Sequence, residues 1–191
     1  MFYELSNRIF RMPLWAHSLL AAGSFGSFQT IKPILDQSYV ASQHPVDFAT
    51  GQTRFDAEAV KGYYAHMIEQ DTLDVYWTTQ FIDLGFIAAV ILMGLFLATL
   101  SGRFARDGSL ARGMSRWAGI ALVCGGLCDL IENLISFVML SNPVDFASWI
   151  SMFYSGFAVA KFAFMATGLV LFLCSLLTVL IGRALSRPKI G

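Results

Sequence analysis

Four stretches of the 191-residue chain are apolar over lengths that suit membrane helices: residues 14–31, 78–100, 117–140 and 150–181. A helix that crosses a bilayer needs about 20 mostly apolar residues. The pattern therefore predicts an all-α polytopic membrane protein with four transmembrane helices, with residues 1–191 forming a single domain. The first stretch follows Arg8 and Arg11, as an export signal would. However, GSFGSF continues the apolar run where a cleavage site and a polar start are required, so the stretch reads as a retained helix. Pro33 is expected to kink that helix or to end its membrane-spanning part. Gly23, Gly26, Ser27 and Thr30 share one side of it and predict close helix packing there.

The longest polar interval, residues 32–77, predicts a loop outside the cytoplasm with a helix of its own. Asp56 suits an N-cap, Glu58 lies in the first turn, and Phe55 and Val60 have staple spacing. Val60, Tyr63, Tyr64, Met67 and Ile68 then recur on one face, which predicts an amphipathic helix near 56–70 lying on the membrane surface or capping the bundle. Tyr76 and Trp77 fit an aromatic belt where the second membrane helix begins.

Two segments resemble each other. Residues 38–50 read SYVASQHPVDFAT and residues 136–148 read SFVMLSNPVDFAS. Either the first helical hairpin is duplicated in the second with the same orientation, or each copy is a local helix entrance. In the local reading Asn142 is an N-cap, Pro143 is at N1 and Asp145 is at N3, with His44-Pro45-Val46-Asp47 repeating the arrangement. Duplication requires residues 38–43 to be helical, like 136–141.

One apolar stretch departs from the pattern. The sequence CDLIEN at 128–133 lies inside the third predicted span. Gly125, Cys128, Asp129, Glu132, Asn133 and Ser136 fall at i, i+3, i+4, i+7, i+8 and i+11, on one face of an α-helix. Leu127, Leu130, Leu134 and Phe137 fall on the other, which suits lipid. Asp83 on the second helix, with Thr79 and Gln80 near it, and Lys161 on the fourth are predicted at the same outer depth. An ionisable group near a span's centre costs about 2.5–3.5 kcal/mol on insertion scales. Two such acids on one helix cost about 5–7 kcal/mol, which large apolar residues at about 0.3–0.6 kcal/mol each barely offset. The acids therefore require partners, and Lys161 is the one internal cation. Three acids against one base imply a protonated acid or a bound cation. Asp129, Glu132, Lys161 and Asp83 are the candidate catalytic residues, and Asn133, Gln80 and Ser136 are candidate binding residues.

Composition agrees with the pattern. Hydrophobic residues make up 56% of the chain and charged residues 14%, against about 25% charged in soluble domains. Lys+Arg and Asp+Glu number 13 each, so no charge excess points to nucleic acid. The charges are segregated. Arg8 and Arg11, then Arg103, Arg106, Arg112 and Arg116, then Arg183, Arg187 and Lys189 fall in segments that four spans place on one side. The positive-inside rule puts both termini in the cytoplasm, in a cytoplasmic (inner) membrane.

No P-loop, HExxH, GxSxG or dinucleotide-binding fingerprint is present. His17 reads as a packing residue. Cys124 and Cys128 read as small packing residues, so neither a metal nor a cofactor is expected. RFD at 54–56, Asp83, DLIEN at 129–133 and Lys161 resemble a pattern in uncharacterised small four-helix bacterial membrane proteins. The resemblance spans about residues 54–165, does not include HPVDFA, and implies a fold but no activity. Three functions fit: an accessory or structural membrane protein, with membrane lipid and other membrane subunits as partners; a lipid- or isoprenoid-modifying enzyme using the cluster for acid/base chemistry; and proton or ion translocation.

Overall fold

A computed structural model describes residues 2–185, with side chains described for 3–182. Arg187, Lys189 and the side chain of Arg183 lie outside the described residues. Among the described residues every element is an α-helix: α1 (Phe2–Arg11), α2 (Leu14–Ala41), α3 (Phe48–Gln52), α4 (Ala57–Glu69), α5 (Leu73–Arg103), α6 (Leu110–Ser141) and α7 (Trp149–Leu185). Three of them, α5, α6 and α7, are long and apolar enough to cross a membrane. α6 packs between α5 and α7, and α2 packs on the other side of α5. α2 runs through Pro33 without ending.

The small-residue side of α2 packs against no other element among the described residues. Gly23, Gly26, Ser27 and Thr30 are all exposed, and a Cβ added to either glycine would meet no atom within 4 Å. The hydroxyls of Ser27 and Thr30 donate within the helix, to Gly23 O and Gly26 O. The face is thereby polar-satisfied and lipid-compatible. The packed side of α2 instead carries His17, Ala21, Ser24 and Leu35. His17 is fully buried, with Nε2 at 3.0 Å from Phe96 O and 3.1 Å from Thr99 Oγ1 on α5.

α1 and the α5–α6 connection occupy one end of the bundle, tied by Arg103 Nη1 to Met12 O (2.6 Å) and Arg116 Nη2 to Asn7 Oδ1 (2.8 Å). α3 and α4 close the other end. Asp56 caps α4, accepting from Glu58 N and Ala59 N. Val60, Tyr64 and Met67 then bury against Tyr76, Met139, Leu140, Phe146 and Tyr154 of the bundle. Burial from all sides raises the Tyr64 phenol above its ordinary pKa. α4 is therefore a lid on the bundle. Three details of the sequence reading change with it. Ile68 falls just outside the buried stripe and is exposed. Phe55, expected as a staple, is exposed as well. Tyr76 is part of the buried cap rather than of an aromatic belt, while Trp77 stacks with Phe81 and lies against Phe137.

The two similar segments fold differently from the entrance reading. Asn142 is the C-cap of α6, not an N-cap. Its amide donates to Asp145 O at 3.1 Å, residues 143–145 form a turn, and α7 begins only at Trp149. In the first segment His44 caps nothing. Asp47 is the N-cap, its carboxylate accepting from Thr50 N at 3.0 Å and from Thr50 Oγ1 at 2.6 Å. A carboxylate in extended backbone that satisfies N3 is the stronger cap, and it starts α3 three residues later than Pro45 would. Residues 38–41 are helical, Ser42 is the C-cap of α2, and Gln43 is left-handed (φ 53°). The first segment thus leaves its helix two aligned positions before the second. His44 instead packs among the rings of Tyr39, Tyr63 and Tyr76, where burial lowers its pKa.

Candidate functional site

The stripe on α6 faces inward. Gly125, Asp129, Glu132, Asn133 and Ser136 are buried, Cys128 is half-buried, and Leu127 and Leu134 point outward. Leu130 and Phe137, expected on the lipid face, are each half-buried. Helical periodicity does this: positions three and four apart stack on one side, and here that side meets α5 and α7.

Lys161 on α7 is the hub. Its Nζ donates to Asp129 Oδ1 at 2.9 Å and lies 2.6 Å from Glu132 Oε2. The second contact is at ion-pair distance but lacks the angle of a hydrogen bond, so Glu132 Oε2 has electrostatic pairing only. The third partner is Gln52, the last residue of α3, whose Oε1 accepts from Nζ at 2.9 Å. Lys161 is only 4% exposed, so it does not extend to an interface. A second group sits beside the hub. Asn133 Nδ2 reaches Asp83 Oδ2 at 2.8 Å, Gln80 Oε1 at 3.1 Å and Gln80 O at 3.3 Å. Asp83 therefore meets Asn133 rather than Lys161. Among the described residues Asn133 Oδ1 is buried without a hydrogen-bond partner.

Gln52 was not legible as a site residue, because a lone glutamine in a loop carries no spacing signal. The signal lay beside it, in the cap at Asp47 that starts the short helix which turns Gln52 under the lid.

Gly125 explains how α6 and α7 come close enough for these contacts. A Cβ there would lie 3.0 Å from Met165 Cγ and 3.3 Å from Lys161 O. Gly125→Val is expected to push α7 away beside the Asp129–Lys161 pair and to cost about 1–3 kcal/mol. Thermal unfolding in detergent measures this, and an unchanged midpoint would show that the approach is not tight.

Asp83, Asp129, Lys161 and Gln52 line a cleft of about 190 Å³, walled by Leu35, Phe86, Phe162 and Met165 among others. The charged network thus lies against a small apolar hollow between α2 and α7. Towards the other end the network stops. Between Asp83 and Thr99, about 24 Å apart at 1.5 Å per residue, the buried residues of α5 are Ile87, Ala89, Val90, Gly94 and Ala98. Among the described residues no group of three or more His, Cys, Asp or Glu side chains is arranged to hold a metal ion, and the three cysteines are free.

No family model, curated protein or solved structure matches the chain.

Proposed function

We propose that this is a four-span protein of the cytoplasmic (inner) membrane, with α2 as the first span, both termini in the cytoplasm and the α3–α4 lid outside. In this reading it is an accessory or structural membrane protein, and its buried Asp/Glu/Asn/Lys cluster clasps the lid to the bundle. The observation that carries the reading is the set of partners of Lys161 Nζ. Gln52 comes from α3 at the lid, Asp129 and Glu132 come from α6, and all three surround one ammonium, the first two by hydrogen bonds and Glu132 by charge. Buried charges held in this way fix register and connectivity more than they add stability. Arg11, Arg103, Arg106, Arg112 and Arg116 gather at the α1 end, which supports a cytoplasmic assignment for that end. Cysteines introduced at the exposed positions 106 and 107 should be protected from an impermeant thiol reagent in intact cells, and cysteines at the exposed positions 54 and 69 should react. The opposite labelling would invert the topology.

A second reading, an enzyme acting on a lipid or isoprenoid, is favoured by the cleft against Asp83, Asp129 and Lys161. Asp129 or Glu132 would serve as acid/base and Lys161 as the group that tunes it. Proton or ion passage has the least support, because the polar network has no continuation along α5.

A further inference from the structure

At the opposite end of the bundle, α1 and the start of α6 enclose a pocket of about 680 Å³ lined by Asn7, Arg11, Asp107, Arg112 and Arg116 among others. Three arginines face one aspartate, which pairs with Arg112. Two of the three guanidinium groups, those of Arg112 and Arg116, lie over aromatic rings. Arg116 lies 4.1 Å from the Tyr3 ring centroid and 5.5 Å from that of Phe10, and Arg112 lies 4.5 Å from that of Phe10. Stacking of this kind fixes a guanidinium while leaving its N–H edge directed elsewhere. On that edge Arg116 spends Nη2 on Asn7 Oδ1, and its buried Nε has no partner among the described residues. The pocket offers what a phosphate requires: planar, preorganised donors and a surplus of positive charge.

The pocket does not end there. Tyr3, Gly113 and Arg116 also line a hollow of about 400 Å³ that continues to Trp117 and Ile120. Gly113, Trp117 and Ile120 in turn line a groove of about 470 Å³ between α6 and α7, reaching Cys124, Phe164 and Leu171. Trp117 is exposed on this face. From Gly113 to Cys124 the groove runs about 16 Å at 1.5 Å per residue. One leaflet of a hydrocarbon core about 30 Å thick is about 15 Å deep. A charged pocket at the membrane boundary thus passes, through shared residues, into an apolar groove one leaflet long.

We propose that this composite site binds one anionic phospholipid, with its phosphate on Arg11, Arg112 and Arg116 and an acyl chain laid over Trp117 along α6 and α7. Selectivity resides in the arginines, since any lipid tail fills the groove. The proposal requires the chain to be membrane-embedded but is independent of what the Lys161 cluster does.

The test uses the full chain in phosphatidylcholine vesicles doped with brominated-chain phosphatidylglycerol or, at equal fraction, brominated-chain phosphatidylcholine. Brominated phosphatidylglycerol should quench tryptophan fluorescence more strongly. The excess should vanish in Trp117→Phe, although Trp15, Trp77 and Trp149 remain. Relative affinity for phosphatidylglycerol should fall about fivefold for each arginine removed. Arg116→Gln tests this at the stacked position, and Arg11→Gln tests it at an exposed one where folding is not at stake. Equal quenching by the two lipids would overturn the proposal, as would an excess that survives both arginine variants. In detergent, phosphatidylglycerol should raise the unfolding temperature and inorganic phosphate at the same concentration should not. An equal rise with phosphate would make the site one for a free anion and would also overturn the proposal.

Discussion

Lys161→Met is expected to lower the stability of the folded protein by about 3–5 kcal/mol, the cost of breaking a buried ion pair from one side. The loss has three sources in the structure. Asp129 and Glu132 keep their burial but lose the cation at 2.9 and 2.6 Å. Gln52 Oε1 loses its donor while buried beneath the lid. With Lys161 gone, Asp83, Asp129 and Glu132 face one another without a counter-charge, so they must take up protons or draw in water. Methionine matches the lysine stem closely enough that a cavity contributes little. Chemical or thermal unfolding in a mild detergent measures the effect.

Met67→Ala is the second large expectation, at about 2–5 kcal/mol for removing a buried Met side chain from a packed site. Met67 is fully buried in the cluster that joins α4 to the ends of α5, α6 and α7. A helix resting on the membrane surface would lose far less, because its apolar face would remain in lipid after truncation. The size of the loss in lipid-free detergent therefore separates a lid packed on the bundle from a helix lying on the bilayer. The variant should also increase proteolysis within 42–72 before the bundle itself unfolds. A loss below about 0.5 kcal/mol, the range of substitutions away from packed sites, would contradict the lid.

The long apolar helices α5, α6 and α7 were legible because hydrocarbon would impose one rule on every residue of a span, and hydropathy records it. The inward stripe was legible for a related reason. Asp129, Glu132, Asn133 and Ser136 lie on a single helix, so the period of 3.6 residues places them together without any knowledge of the tertiary structure. Which partners they meet depends on the packing of separate helices. The sequence reading grouped Asp83 with Lys161 by depth, yet Asp83 faces Asn133, because rotation of α5 about its axis is not encoded in depth. Gln52 was missed because it reaches Lys161 through a five-residue helix, too short to carry periodicity. The side of α2 carrying Gly23 and Gly26 misled in the opposite direction. Small residues permit close packing, but nothing in their spacing requires a neighbour, and among the described residues there is none. The Asn142-Pro143 pair shows the same ambiguity at a helix end, since Asn serves equally well where a helix stops.

The central claim, that the cluster is a clasp rather than a chemical centre, is tested most directly by rescue. The single variant Lys161→Met is compared with the triple variant Lys161→Met/Asp129→Leu/Glu132→Met, both measured by reversible unfolding in the same detergent. A clasp predicts that the triple variant recovers most of the loss, because apolar groups of similar size substitute well for a buried ion pair once both acids leave with their base, and the remaining Asp83 keeps its hydrogen bond from Asn133. It also predicts that the triple variant still inserts but, with Gln52 left without its donor, is cut within the lid more readily than the parent. A triple variant no more stable than Lys161→Met, or a single variant as stable as the parent, would contradict the account.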